Sequence, residues 1–147
     1  NHHTEATSML YAARECVRIL LNDGLEERFA RHALTSRAMV DGVRAMGLEP
    51  FGDIPHKVHG ITGVEIPDGV DGDAVIHDML HNFAIEIGTS FGPLKGKIWR
   101  IGAMGYNCRK DAVLTTLAAF EATLRLRGYA APPGAGVDAA LKVYNTA

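Results

Sequence analysis

The sequence predicts an α+β fold: a helical hairpin, then a small, mostly antiparallel sheet with helices on one face. Three observations carry this expectation. Apolar residues recur at helical spacing up to Gly47. Beyond it, segments with strand-like alternation interleave with two further helical stripes. Glycines, or a proline–glycine turn, punctuate the segment ends. The expected divisions are residues 1–47 (helical segment), 48–128 (small α+β domain) and 129–147 (tail).

The first helix is read from Ser8 to Asp23, with Met9, Leu10, Ala13, Val17, Leu20 and Leu21 forming a stripe and Gly24 stopping it. Thr4 and Thr7 precede it as candidate N-caps. A second helix runs from about Leu25 to Met46, with Phe29, Ala33, Val40, Val43 and Met46 on one side and Gly47 at its end. Helices joined this tightly suggest an αα-hairpin. Phe51 marks a short strand and Val58 to Ile66 a longer one, closed by the turn Pro67-Asp68-Gly69. Asp71 caps a helix whose expected core face is Val75, Ile76, Met79, Leu80 and Phe83. Ala84 to Ile87 and Lys97 to Met104 read as the next strands. Asn107 is the expected cap of a last helix, Asp111 to Arg127, with Val113, Leu114, Leu117, Ala118 and Leu124 inward and Gly128 as stop. The tail from Tyr129 is expected to be loosely docked or frayed.

Composition excludes several classes. The chain has 147 residues, 47% hydrophobic and 22% charged, which suits one folded domain rather than a disordered segment. A net charge of −2, with acids and bases interspersed, removes the electrostatic case for nucleic acid or an anionic membrane surface. The apolar runs fall well short of the roughly 20 residues a membrane span needs. Cys16 and Cys108 are too few for a disulfide framework, so a reducing cytoplasm is expected. Asn1-His2-His3-Thr4 has neither an initiator Met nor a signal-peptide pattern, and reads as a cut inside a longer protein.

Chemistry concentrates in Glu86 to Asp111, EIGTSFGPLKGKIWRIGAMGYNCRKD. Strand alternation puts Ile98, Arg100 and Gly102 on one face, Trp99 and Ile101 on the other. A guanidinium stays charged, and its flat fork suits a carboxylate held bidentately. The nearest acids in sequence are Glu86 and Asp111, so the partner of Arg100 is either a ligand or, as for many strand-edge arginines, solvent or an ion pair. Gly88, Gly92 and Gly96 match no phosphate-binding loop and read as a turn-rich connection. His77 and His81 share a helix face, but no third ligand is evident, and no metal is expected. Cys108 lies before a helix without a positioned base and reads as structural.

Taken together, His2-His3-Thr4, Leu10-Tyr11 with Arg14-Glu15, Gly92-Pro93, Gly96-Lys97 and Trp99-Arg100-Ile101-Gly102 resemble the C-terminal part of class V aminotransferases. These are fold-type-I, pyridoxal-phosphate enzymes. The stretches NHHTEATSMLYAARE, EIGTSFGP and WRIGAMGYN are most similar to the branch acting on ureidoglycine and glyoxylate in purine breakdown. The resemblance covers the chain to about Gly128.

It implies that residues 1–47 are an interdomain segment and that the rest is the small domain. It implies that Arg100 binds the carboxylate of an amino acid or oxo acid substrate, and that Thr4 contacts the cofactor phosphate of the neighbouring subunit in a homodimer. Asn1 stands where alanine–glyoxylate enzymes have tyrosine, and its amide would read a ureido group from across the dimer interface. The family's Schiff-base lysine belongs to an upstream large domain, and Lys57, Lys95, Lys97, Lys110 and Lys142 do not match its motif, so the chain alone is expected to be inactive. Two rivals remain: alanine– or serine–glyoxylate transamination on the same scaffold, and a free-standing module binding small carboxylates through Arg100.

Overall fold

The computed structural model describes residues 2–146, and Asn1 lies outside them. The described helices are α1 (Thr7–Asp23), α2 (Leu25–Ala45), α3 (Gly72–Phe83), α4 (Lys110–Leu126) and α5 (Ala135–Asn145), with strands β1 (Ile61–Glu65) and β2 (Ile98–Gly102). The chain divides into two compact units, Asn1–Arg31 and His32–Ala147, with α2 running from the first into the second.

In the first unit, α1 forms where its stripe predicts, yet buries no residue. Its N-cap is Ala6, so neither Thr4 nor Thr7 caps it; the Thr7 hydroxyl donates to the Glu5 carbonyl at 3.3 Å instead. Gly24, at φ 82°, turns the chain into α2, and Asp23 pairs with Arg28 at 2.7 Å. Phe29, expected on the buried side of α2, is 60% exposed, because burial along this helix begins only at Thr35.

The second unit holds the core. The end of α2 is closed by Gly47 in the left-handed region, where the amides of Gly47 and Leu48 return to the carbonyls of Arg44 and Val43. This is a Schellman motif. Gly128 ends α4 the same way, its amide and that of Tyr129 reaching the carbonyls of Arg125 and Leu124. The Tyr129 hydroxyl then donates to the Gly47 carbonyl at 2.7 Å and ties the two helix ends together.

β1 and β2 pair antiparallel, Val64 opposite Trp99, Gly63 opposite Arg100 and Thr62 opposite Ile101. The expected alternation holds on β2 from Trp99 onward, with Trp99 and Ile101 buried, Arg100 half-buried and Gly102 exposed, whereas Ile98, expected on the Arg100 face, is buried as well. Trp99 anchors the core, its indole N–H donating to the Gly72 carbonyl at 3.0 Å and its ring meeting Phe120 edge-on at 5.2 Å. Around it lie Met39 and Val43 of α2, Met46 just after that helix, Val75 and Met79 of α3, and Val113, Leu117 and Leu124 of α4. The helices thus cover the Trp99 face of the sheet.

The sheet is narrower than predicted. The segments around Phe51 and Ala84–Ile87 supply only single bridges, Pro50 to Val64 and Gly88 to Arg100, on the outer edges of β1 and β2. Pro50 has no N–H to extend its ladder. Ala84 ends α3 in the left-handed conformation at φ 54°, so the chain leaves that helix by a turn rather than a strand. Nor does β1 start at Val58, which is 73% exposed. The segment before the strand is pinned by Lys57, whose ammonium donates to Ser36 Oγ at 2.7 Å and to the carbonyls of Val58 and Ile61 at 3.0 Å. Burial holds the Lys57 pKa below its ordinary value.

Asp71 caps α3 as expected, its carboxylate accepting from the amides of Asp73 and Ala74 at 3.1 and 3.0 Å. The buried stripe is narrower than its apolar residues suggest, for Val75 and Met79 are buried while Leu80 and Phe83 are 43% and 39% exposed. Asn107 caps nothing: it sits in a 3-10 turn, Gly105–Asn107, and α4 starts from Arg109 without a side-chain cap. Within α4, Ala118 faces out, whereas Phe120 is fully buried. The largest departure is the tail. It forms α5, which packs on α4 and α2 through buried Gly136 and Ala140.

Candidate carboxylate site on the open face of the sheet

Arg100 occupies the middle of β2 on the face turned away from the Trp99 core. Both of its lateral neighbours are glycine: Gly63 across the β1 ladder, and Gly88, which exchanges backbone hydrogen bonds with Arg100 at 2.9 and 2.8 Å. A methyl group at Gly88 would stand 3.7 Å from Arg100 Nε, and one at Gly63 would press on Phe51 at 3.2 Å. The missing side chain at Gly88 therefore leaves the guanidinium room on that side, while the missing one at Gly63 makes room for Phe51.

Two further groups fix the guanidinium. Its Nε–H donates to the Thr89 carbonyl at 2.6 Å. Its Cζ lies 4.7 Å from the centroid of the Phe91 ring, within cation–π range. Among the described residues, Nη1 and Nη2 have no acceptor, and Arg100 belongs to no ion pair. This leaves a cationic fork with one edge open, the geometry that accepts a carboxylate bidentately. Sequence reading found Arg100 by strand alternation but not Gly63, Thr89 or Phe91. An aromatic residue inside a glycine-rich loop was the available signal for Phe91; Thr89 acts through its backbone, which no residue type announces.

The two acids nearest Arg100 in sequence lie elsewhere. Glu86 and Asp111 line a cleft of about 540 Å³ together with Asn107, Arg109 and Thr115, and Arg100 is not among its lining residues, although its neighbours Ile101 and Gly102 are. There Arg109 pairs with Asp111 at 3.4 Å and stacks over Tyr106 at 4.2 Å. Cys108 is fully buried, as a structural cysteine should be. The His77 and His81 rings stack at 4.0 Å on exposed α3, with His81 Nδ1 2.8 Å from the His77 carbonyl. Among the described residues, no group of three metal-ligating side chains includes them. Thr4 is exposed and its hydroxyl has no partner among the described residues. Asn1 lies outside them.

No protein-family model matches the chain. Among curated proteins it is 54% identical over 147 residues to the (S)-ureidoglycine–glyoxylate transaminase of Bacillus subtilis, covering 100% of this chain and 35% of that protein. It is 34% identical over 123 residues to the alanine–glyoxylate aminotransferase of Callithrix jacchus, covering 82% of this chain and 30% of that protein. The crystal structure of the Bacillus subtilis ureidoglycine–glyoxylate aminotransferase superposes with a TM-score of 0.94 over 99% of this chain and 38% of that one. The chain thus spans about a third of the length of the relatives it matches, and the matched region is their C-terminal part. By sequence and by fold, the chain belongs to the C-terminal part of the class V aminotransferases.

Proposed function

We propose that this chain is the substrate-gripping C-terminal part of a transaminase that moves an amino group from (S)-ureidoglycine to glyoxylate, using pyridoxal phosphate. The observation that carries this reading is the open Nη edge of Arg100 on the outer face of β2, in a chain 54% identical to a transaminase of that name. Arg100 holds the carboxylate common to both substrates, so that the reacting carbon is presented in one orientation. When bound, pyridoxal phosphate supplies the electron sink for the chemistry.

The residues present fit the cofactor only in part. The Thr4 hydroxyl, unused in capping α1, is free to receive the cofactor phosphate, which on this reading belongs to the partner subunit of a homodimer. Asn1 would read the ureido group through its amide, a donor and an acceptor in one side chain. The most constrained lysine, Lys57, is committed to three oxygen acceptors. The resemblance to class V aminotransferases, none of whose Schiff-base motif surrounds the five lysines of this chain, assigns that lysine to the rest of the enzyme, and on this reading the chain alone is inactive. The apolar side chains exposed on α1, Leu10 and Leu21 among them, would pack in that larger assembly. An exposed free thiol at Cys16 suits a reducing, cytoplasmic setting.

The test is the full-length enzyme assayed with ureidoglycine and with alanine as amino donors. Preference for ureidoglycine supports the reading. Preference for alanine transfers it to the alanine–glyoxylate reaction on the same scaffold. Arg100→Ala should lower kcat/KM for both substrates by at least about a hundredfold, as expected when a charged, bidentate contact is lost; an unchanged kcat/KM would remove Arg100 from the site.

A further inference from the structure

Resting on the carboxylate role of Arg100, we propose that Phe91 and the Thr89 carbonyl are its positioning elements, and that together they make the site accept a carboxylate end-on. Arg100 offers two hydrogen-bonding edges, one formed by Nε with an Nη and one by the two Nη atoms. The Thr89 carbonyl takes the Nε–H at 2.6 Å and so removes the first edge from use. The incoming carboxylate must then bind the two Nη atoms along the long axis of the side chain.

Phe91 restrains the remaining freedom. Its ring lies 4.7 Å from Cζ, which resists rotation of the guanidinium plane and shields one of its faces. The ring is itself 72% exposed, and its loop is shaped by the 3-10 turn Gly92–Leu94, with Gly92 at φ 54°. An aromatic side chain this exposed contributes little to the core, so stacking on Arg100 is its main intramolecular contact. Gly88 completes the arrangement, because a side chain there would come within contact distance of the same Nε.

A plane-setting residue acts on binding rather than on the chemical step. In the full-length holoenzyme, Phe91→Leu should raise the KM for glyoxylate about fivefold, the loss expected for one exposed cation–π contact. The same change should leave kcat within about twofold, since no interaction special to the transition state is removed. Phe91→Tyr, which keeps the ring, should restore the KM. A matched melting temperature for both variants confirms folding, as the exposure of Phe91 leads one to expect.

The outcomes separate the two levels of the argument. If Arg100→Ala weakens glyoxylate binding but Phe91→Leu leaves KM unchanged, or lowers kcat alone, the positioning role is overturned while the carboxylate grip stands. If neither variant alters KM, the carboxylate grip falls and the positioning role with it. Failure of Phe91→Tyr to restore KM also overturns stacking as the cause. A structure of the holoenzyme with an oxo acid bound should show its carboxylate on both Nη atoms; a carboxylate oxygen on Nε instead would refute the end-on assignment.

Discussion

Helices α1 and α5 are both amphipathic, yet α1 buries none of its residues while α5 seats Gly136 and Ala140 in the core. The difference lies in what faces each stripe. The seat of α5 is prepared by small residues: a methyl group on Gly42 of α2 would stand 2.5 Å from Leu117 Cδ1 and 2.9 Å from the Gly136 carbonyl. Backbones approach closely there because neither helix presents a side chain. Glu121 adds a polar tether, its carboxylate accepting from the Gly134 amide at 2.8 Å just before α5 begins. The first unit supplies nothing comparable for α1, whose Met9, Leu10, Val17 and Leu21 are all more than half exposed. An amphipathic stripe therefore states that a helix has a sticky face, not that its partner lies in the same chain.

Substitutions can sharpen or break this contrast. The largest loss should come from the core that α5 joins: Phe120→Ala removes the ring packed edge-on against Trp99 and should cost about 3–5 kcal/mol by urea unfolding. Gly42→Ala should cost about 1–3 kcal/mol, because the methyl meets the Gly136 carbonyl, which cannot rotate away as a side chain can. Retention of full stability would show that the two backbones are not in close contact. In the opposite direction, Ala84→Gly should stabilise by about 1 kcal/mol, since Ala84 alone among the described non-glycine residues has positive φ. The smallest effect belongs to α1. Leu10→Ser and Leu21→Ser should each change the stability of this chain by no more than about 0.5 kcal/mol. A loss above 2 kcal/mol from either would mean that α1 has a packing partner within the chain.

Much of this was legible residue by residue. Asp71 announced the start of α3, and Gly47 and Gly128 announced two helix ends, because caps and Schellman turns are decided within five or six residues. Arg100 was found by alternation alone, since a strand must turn successive side chains to opposite faces. Legibility failed where a decision depended on distant chain. Leu80 and Phe83 read as core but are not, and Phe120 is core although it escaped the expected stripe. The tail, rich in Ala, Pro and Gly, read as frayed because its anchors, Gly42 and Glu121, lie far away in sequence. The outer strands shrank to single bridges because Pro50 and the left-handed Ala84 limit pairing more than apolar composition promotes it.

By itself, then, the sequence determined helices α1 to α4 and the two paired strands in their order, the glycine stops of α1, α2 and α4, the outward placing of Arg100 on β2 and, through motifs spread from His2 to Gly102, the resemblance to class V aminotransferases. Those features are set by local sterics and by residue identity, which a linear chain already contains. The tertiary structure alone decided which stripes found partners, that Gly63 and Gly88 flank Arg100, and that Thr89 and Phe91 leave one edge of it open. Those are distances between groups brought together by folding, and a hydrogen bond or a stacked ring exists only when both groups arrive.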